Sequence, residues 1–363
     1  MIDEILNLWL ASAMVPQSFK LDILLCSNLE SYYGELKNCI GLSQKSKKGT
    51  YYKTLLDSFD EEELKEKLHD LKKQGIELIS FKSPSYPEKL RNIENPPAYI
   101  FVKGNIAPTN LKCVSIVGSR DCSYYGEEAA RFITKQLAIE GIGIISGLAR
   151  GIDSVAHKVA LDNNGFTAAV LGCGVDKVYP RESKKLYESI GEKGALISEF
   201  PPGTPPISSN FPQRNRIISA LSDLTVVVEA GEKSGSIITA TIAMEQGKEV
   251  IAVPGSIFSN RNTGTHALIR DGAYIFTNME ELFSLLGHRA RNIIKKSESI
   301  EKLTDKEKCI YELIDDNPIH IDEIIKRTNI DIKYLYEVLF ELQLKKEIRC
   351  ISGNYYVKIH EFQ

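Results

Sequence analysis

The 363-residue chain has seven cysteines and no CxxC pair. Cys26, Cys39, Cys113, Cys122, Cys173, Cys309 and Cys350 are scattered, which argues against a zinc site or a disulfide framework and fits a reducing cytosol. No apolar run approaches the length of a membrane span. The opening MIDEILNLWLASA imitates a signal peptide, yet Asp3 and Glu4 stand where such a signal needs positive charge. It reads instead as the first helix of a folded domain. A surplus of positive charge is also lacking: the net charge is −3, so contact with a polyanion must rest on local clusters. No GxxxxGK[ST] occurs, which argues against a P-loop nucleotidase. The GxG at Gly172 and Gly174 is followed by Lys177 where a dinucleotide fingerprint has its last glycine, which argues against a nicotinamide dehydrogenase. No metal or nucleotide cofactor is indicated.

What is present is a soluble composition, 43% hydrophobic and 26% charged, over a length that suggests two or three domains. Helical spacing marks the first part, to about Gly75, in Ile5, Leu6, Leu8 and Trp9 and again from Leu55 to Leu71. The cluster Lys45, Lys47, Lys48 reads as a solvated loop. A stretch punctuated by Pro84, Pro87, Pro96 and Pro97 reads as a loop leading to a strand. From Lys112 a regular alternation begins. Strands are expected at 113–118, 142–146, 166–172, 195–200, 224–230, 249–255 and 274–277, and helices at 127–140, 153–162, 183–192 and 236–246. Largely apolar strands with helices between them predict a Rossmann-like, doubly wound, mainly parallel sheet. Its expected span is 78–287, after a helical domain at 1–77. A polar linker at 288–302 precedes a module at 303–363 with helices at 303–315, 319–328 and 332–345 and a hairpin at 348–359 turning at Gly353-Asn354. Three helices and a hairpin suggest a winged helix, and Thr304 with Glu307 makes a capping box.

The turns after the parallel strands carry the chemistry. They share one sheet edge, where helix N-termini offer free N–H groups to anions. After the first strand, Gly118 allows close backbone approach, Ser119 offers a hydroxyl and Arg120 a permanently charged fork for phosphate. The second turn repeats the pattern with Ser146, Gly147 and Arg150, where packing glycines explain the sequence as well as ligand contact does. The sharpest segment is FPQRNR, read as a basic loop running into a helix. Residues 201–220 include Arg214 and Arg216 and no acid. Phe211 beside arginines is the combination single-stranded nucleic acid needs, with bases stacked on the ring and phosphates on the guanidinium groups. A core aromatic is an equal reading of Phe211; a structural ion pair is the weaker reading of the arginines. The turn with Ser234, Gly235 and Ser236 opens the next helix.

The motifs VGSR, SGLARGIDSVAH, YP at 179–180, SEFPPGTPP, FPQRNRIIS, VVVEA, SGSIITATIAMEQGKEVIAVPG and GTHALIRDGA follow in order from Val117 to Ala273. In them the chain resembles the DprA/Smf family, the DNA-processing proteins of natural transformation. The flanking regions are similar to that family's SAM-like helical domain and winged-helix domain. The resemblance implies a cytoplasmic, non-catalytic protein that binds and protects incoming single-stranded DNA and loads the RecA recombinase on it. It also implies a homodimer formed through the Rossmann-like domains. Carried over, Gly118, Ser119 and Arg120 form the first phosphate-contacting turn, Phe211 stacks on a base, and Arg214, Asn215 and Arg216 line the same pocket. Some members carry a lysine just before the aromatic. Here Ile207, Ser208, Ser209 and Asn210 fill those positions, which leaves Arg181 or Lys184 as substitutes. Met244, His266, Arg270 and Ile275 fall on the surface where dimer and recombinase contacts are expected.

Two rivals remain. Phosphoribohydrolases that release a base from a nucleoside monophosphate share the RNRxxS…SGS pattern but carry PGGxGTxxE. Aligning Gly235-Ser236 with their GT puts Thr239 in place of the catalytic glutamate, and Glu229, Glu232 and Glu245 are wrongly spaced to replace it. The other rival is a duplex-binding regulator acting through the winged module. From His288 to Gln363 there are 14 Lys/Arg and 14 Asp/Glu, and the recognition helix carries Lys333 against Glu337 and Glu341.

Overall fold

The computed structural model describes residues 2–26, 28–38, 47–106, 110–289, 304–315, 317–328, 330–345 and 347–358. The chain divides into two compact units, Met1–Arg289 and Ala290–Gln363. Nearly all of the expected linker lies outside the described residues, as does Lys45.

The first unit is built on a nine-stranded sheet. Seven strands run parallel: β3 (Cys113–Val117), β4 (Gly143–Ser146), β5 (Thr167–Val170), β6 (Ala195–Ser198), β7 (Leu224–Val227), β8 (Glu249–Ala252) and β9 (Tyr274–Ile275). Every residue of β3 to β7 is buried, as apolar strands covered on both faces must be. Two further strands, β1 (Ile76–Ser80) and β2 (Tyr99–Gly104), join antiparallel beyond β6. The sequence predicts β2 but not β1, whose five residues sit between a helix and a proline-punctuated loop. The expected boundary after residue 77 falls inside β1.

The order is β1-β2-β6-β5-β4-β3-β7-β8-β9. From β3 the chain steps outward through β4, β5 and β6, then returns to place β7 on the other side of β3. Right-handed crossovers in opposite directions put their helices on opposite faces. Five N-terminal helices, from α1 (Ile2–Ser12) to α5 (Glu61–Lys73), share a core with the sheet that joins Trp9 and Leu55 to Phe101 and Leu196. Lys47 and Lys48 open α4 (Lys47–Asp57) instead of lying in a loop. A single turn, α6 (Glu88–Arg91), stands between β1 and β2. The helices α7 (Tyr124–Ile139), α8 (Ile152–Asp162) and α9 (Lys184–Lys193) pack successively, as do α10 (Asn210–Leu221), α11 (Gly235–Glu245) and α12 (Thr263–Arg270). The short α13 (Met279–Leu285) follows β9.

The second unit is the winged helix. It contains α14 (Asp305–Leu313), α15 (Ile321–Thr328) and α16 (Ile332–Leu344), with a three-stranded sheet of β10 (Ile319–His320), β12 (Tyr355–Lys358) and β11 (Ile348–Ile351). The Thr304–Glu307 capping box is present. Gly353 and Asn354 both take positive φ, 84° and 58°, as a tight hairpin turn requires.

Candidate nucleic-acid interface

The strand order reverses between β3 and β7, and in doubly wound sheets the crevice at that switch point is where ligands bind. A cleft of about 790 Å³ opens there. The turn after β3 supplies Gly118, Ser119 and Arg120; α10 supplies Phe211, Arg214 and Asn215; the start of α11 supplies Lys233, Ser234, Gly235 and Ser236. A smaller hollow of about 200 Å³ shares Arg120, Tyr179, Phe211 and Arg214 with the cleft and adds Gly147, Arg150 and Gly172.

FPQRNR is not a loop. It forms the first turns of α10, which begins at Asn210. Pro212 is accommodated because N–H groups in a first helical turn have no intrahelical acceptor. This changes the meaning of the two arginines. Residues two apart on an α-helix point about 200° apart. Phe211, Arg214, Asn215 and Ile218 therefore share the cleft side, while Arg216 turns away. Its Nη1 and Nη2 pair with both oxygens of Glu199, at 2.8 and 2.7 Å, and its Nε donates to the Asn95 carbonyl at 3.1 Å. Arg216 lines a separate hollow with Gln17, Asn95 and Gln213 and has no place in the cleft. The acid that holds it comes from β6's end, outside the acid-free window.

Arg214 lies in the floor of the cleft and is only 4% exposed. Its guanidinium donates to the carbonyls of Gly147 and Val170 and, at 3.3 Å, to Asn215 Oδ1. Burial lowers its pKa to about 10, and Asp153 opposes that shift. Asp153 is buried too, accepts from the Gly147 N–H at 3.1 Å, and is pushed upward by burial against the pull of Arg214. Arg214 thus lines the cleft as the sequence predicts, but from its floor, as a strut whose guanidinium is held by carbonyls. Two glycines make room for this helix face. A Cβ at Gly147 would lie 2.6 Å from Arg214 Nη2, and one at Gly172 would lie 2.7 Å from Phe211 Cδ1.

Above the strut, Phe211 is half-buried. Its ring lies 5.5 Å from that of Tyr179, tilted by 40°. The guanidinium carbons of Arg120 and Arg214 stand 5.7 and 5.9 Å from its centroid, within cation–π range. Arg120 and Lys233 are exposed, and among the described residues no carboxylate pairs with either. The same cleft is lined by the N-terminus of α11, capped by Ser234, whose Oγ accepts from the Ser236 N–H at 3.4 Å. Asn215 Nδ2 ties this turn to α10 through the Gly235 carbonyl at 3.2 Å. Ser208 is exposed at the rim.

Other expected residues stand elsewhere. Ser146 is fully buried and donates to the Ile116 carbonyl at 2.6 Å, so it supports the sheet. Arg150 lines the smaller hollow and is paired with Glu182. Arg181 is exposed at the start of a 3-10 turn and lines neither hollow. Met244 packs against the core from α11, whereas His266 and Arg270 lie on α12. Ile275 is exposed on β9, the free edge of the sheet.

The carboxylates near the cleft are either held by partners or stand outside it. Glu229 accepts from the backbone N–H of Ser123 at 2.9 Å and from its hydroxyl, at the start of α7. Glu232 and Glu245 are exposed and line no part of the cleft, and Thr239 occupies its wall. Asp121, also on the wall, pairs with Arg261 at 2.9 Å.

Residues 77–287 match the family model "DNA recombination-mediator protein A", and residues 295–354 match "DprA winged helix domain". The chain belongs to the DprA/Smf family. It is 37% identical to Protein Smf of Escherichia coli, over 82% of each chain. The X-ray structure of DNA processing protein A from Streptococcus pneumoniae superposes with a TM-score of 0.65 at 33% identity, covering 78% of this chain and 97% of that one. A structure describing the single-stranded DNA binding mode of DNA processing protein A from Helicobacter pylori gives 0.52 at 28% identity, covering 58% and 95%.

Two residues of this DprA/Smf cleft are not among the site residues expected from the sequence. Lys233 sits in the GEKSGS turn, where the serines and glycines draw the eye, although it is the cation nearest the α11 N-terminus in sequence. Tyr179, 39% exposed, adds a second ring beside Phe211. Its only signal is the YP pair, which carries no chemistry until the fold places it against α10.

Proposed function

We propose that this DprA/Smf protein binds single-stranded DNA in the β3–β7 cleft, protects it in the cytosol and delivers it to the RecA recombinase without chemical conversion. One observation carries the reading: an aromatic pair, Phe211 and Tyr179, lines the same cleft as the exposed cations Arg120 and Lys233, which no carboxylate pairs among the described residues, and the N-terminus of α11. Bases stack on such rings, and phosphates meet the cations and free N–H groups. The single-stranded DNA binding of the Helicobacter pylori relative supports the same ligand. Against hydrolysis, Thr239 stands where phosphoribohydrolases place their glutamate, and Glu229 is held by Ser123. The exposed edge at Ile275, with Arg270 and His266 nearby in sequence, suits a second copy of the chain. Two clefts on one strand would raise affinity through effective concentration.

The test is fluorescence anisotropy of a labelled single-stranded oligonucleotide with duplex competitor. If each cleft neutralises about three phosphates, log K falls with log salt with a slope of about −2 per cleft. Equal affinity for duplex, or release of base from a nucleoside monophosphate, would overturn the reading.

A further inference from the structure

The loop between β8 and α12 lies against the cleft and carries the most exposed aromatic ring among the described residues. Phe258 is 92% exposed and its neighbour Ile257 is 79% exposed. Isolated apolar side chains on a surface need no explanation. These two differ because the turn bearing them is firmly held. The Tyr125 hydroxyl donates to the Pro254 carbonyl at 2.8 Å, and His266 Nε2 lies 3.1 Å from the Gly255 carbonyl. Arg261 grips the carboxylate and carbonyl of Asp121. The Glu232 N–H donates to Thr263 Oγ1 at 3.1 Å. At the tip, the Ser259 N–H donates to the Ser256 carbonyl at 3.1 Å and the Phe258 N–H to Ser256 Oγ at 3.3 Å. A turn fixed at both ends and across its tip holds its two apolar side chains in water.

Two of those anchors place the turn. Asp121 is on the wall of the cleft, and Glu232 lies between the cleft residues Gly231 and Lys233. Arg261 is three residues from Phe258, so their Cα atoms lie within about 11 Å of each other. Arg261 is taken up by Asp121 at 2.9 Å and Arg270, on α12, by Asp271 at 3.1 Å, so what the turn offers to solvent is its ring rather than a charge. An exposed aromatic on a turn tied to the wall of a cleft read as a base-stacking site suits a further nucleobase of the same strand.

We infer that Phe258, flanked by Ile257, is a second stacking station, which receives a base of the same single strand after it leaves the cleft past Asp121 and Arg261. This rests on the reading of the cleft as a single-strand site. The cleft would hold a short segment, and the tip would add affinity only to strands long enough to reach it.

The experiment uses the full-length protein and fluorescein-labelled oligothymidylates of roughly four and twelve nucleotides, within the range of single-strand site sizes. Phe258→Ala is expected to weaken the longer strand about 5- to 100-fold, the equivalent of one lost stacked base, and to leave the shorter one unchanged. Phe211→Ala is expected to weaken both. In Phe258→Trp the exposed indole is expected to be quenched by the longer strand only. An unchanged affinity of Phe258→Ala for the longer strand, or equal losses on both lengths, would overturn the second station and leave the cleft standing. A fall in molar mass of Phe258→Ala by light scattering would assign the tip to contact between copies instead. Failure of the unaltered protein to bind either strand would overturn the cleft reading, and the station with it.

Discussion

The helices α10 and α16 can both be argued as nucleic-acid contacts from sequence, and their outward faces differ in kind. The cleft side of α10 sets Phe211 between cations, with a buried strut beneath it. The outward side of α16 carries Ile332, Tyr336, Phe340 and Leu344, four apolar residues spaced four apart, all exposed. Its buried side is Leu335, Val338, Leu339 and Leu342. A major-groove helix needs cations and amides outward. Here Lys333 shares that surface with Glu337 and Glu341. The difference teaches that a recognition helix is known by what it shows to solvent, and that in this chain the helix at the sheet edge has the better claim.

The comparison breaks first at Arg214. Removing a buried, hydrogen-bonded guanidinium leaves Asp153 and two carbonyls without their partner, so Arg214→Ala is expected to lose about 3–5 kcal/mol of stability. Arg120→Ala, exposed, should stay within about 0.5 kcal/mol of the unaltered protein while losing single-strand affinity. Denaturant melts of the two variants decide this; similar curves would mean that Arg214 is no strut.

An effect of comparable size, reached only at low pH, probes the same underside. His157 is fully buried, its Nδ1 2.7 Å from Thr167 Oγ1, with no hydrogen-bond partner for Nε2. Burial, reinforced by Arg214, depresses its pKa to about 3, below the ordinary 6.5. The unfolded chain therefore takes up a proton first. Stability is intact above pH 6.5 and falls as pH drops toward 3, by about 1.4 kcal/mol per pH unit from this group. His157→Gln should remove that part of the slope, and an unchanged slope would contradict the assignment.

On the cleft itself, Phe211→Ala should cost about 1–3 kcal/mol of single-strand affinity. Lys233→Ala should reduce the salt slope by about 0.7, the contribution of one phosphate on a single strand. A full slope in Lys233→Ala would move the phosphate path away from α11. The smallest effect sharpens the comparison from the other side. Lys333→Ala on α16 is expected to change duplex binding less than about twofold, because the surface around it is apolar and acidic; a large loss would restore α16 as a groove reader.

Much of this is legible in the sequence for physical reasons that can be named. The parallel strands show as short apolar runs because both faces are covered, and the hairpin shows through Gly353-Asn354 because both residues need positive φ. The glycines at 147 and 172 are visible, but whether they face a ligand or a side chain depends on α10, a non-local partner. The same non-locality hides the role of Arg216. An acid-free window shows that no acid is near in sequence, and Glu199 reaches it from the end of β6. The start of α10 at Asn210 is masked by Pro212, since proline interrupts a helix interior but is tolerated in a first turn. β1 is hidden because Glu77 interrupts its apolar run and it stands outside the strand–helix alternation that begins at Lys112.

The central claim is that the cleft side of α10, and not its opposite side, holds single-stranded DNA. It is tested most directly by anisotropy of one labelled oligothymidylate, titrated over a salt series, against the unaltered protein and the Arg120→Ala/Lys233→Ala double variant, with folding verified by thermal melting. The account predicts a folded double variant whose affinity is greatly reduced and whose salt slope is shallower by about 1.4, two phosphates' worth. A folded double variant that binds with the same affinity and the same salt slope would contradict it.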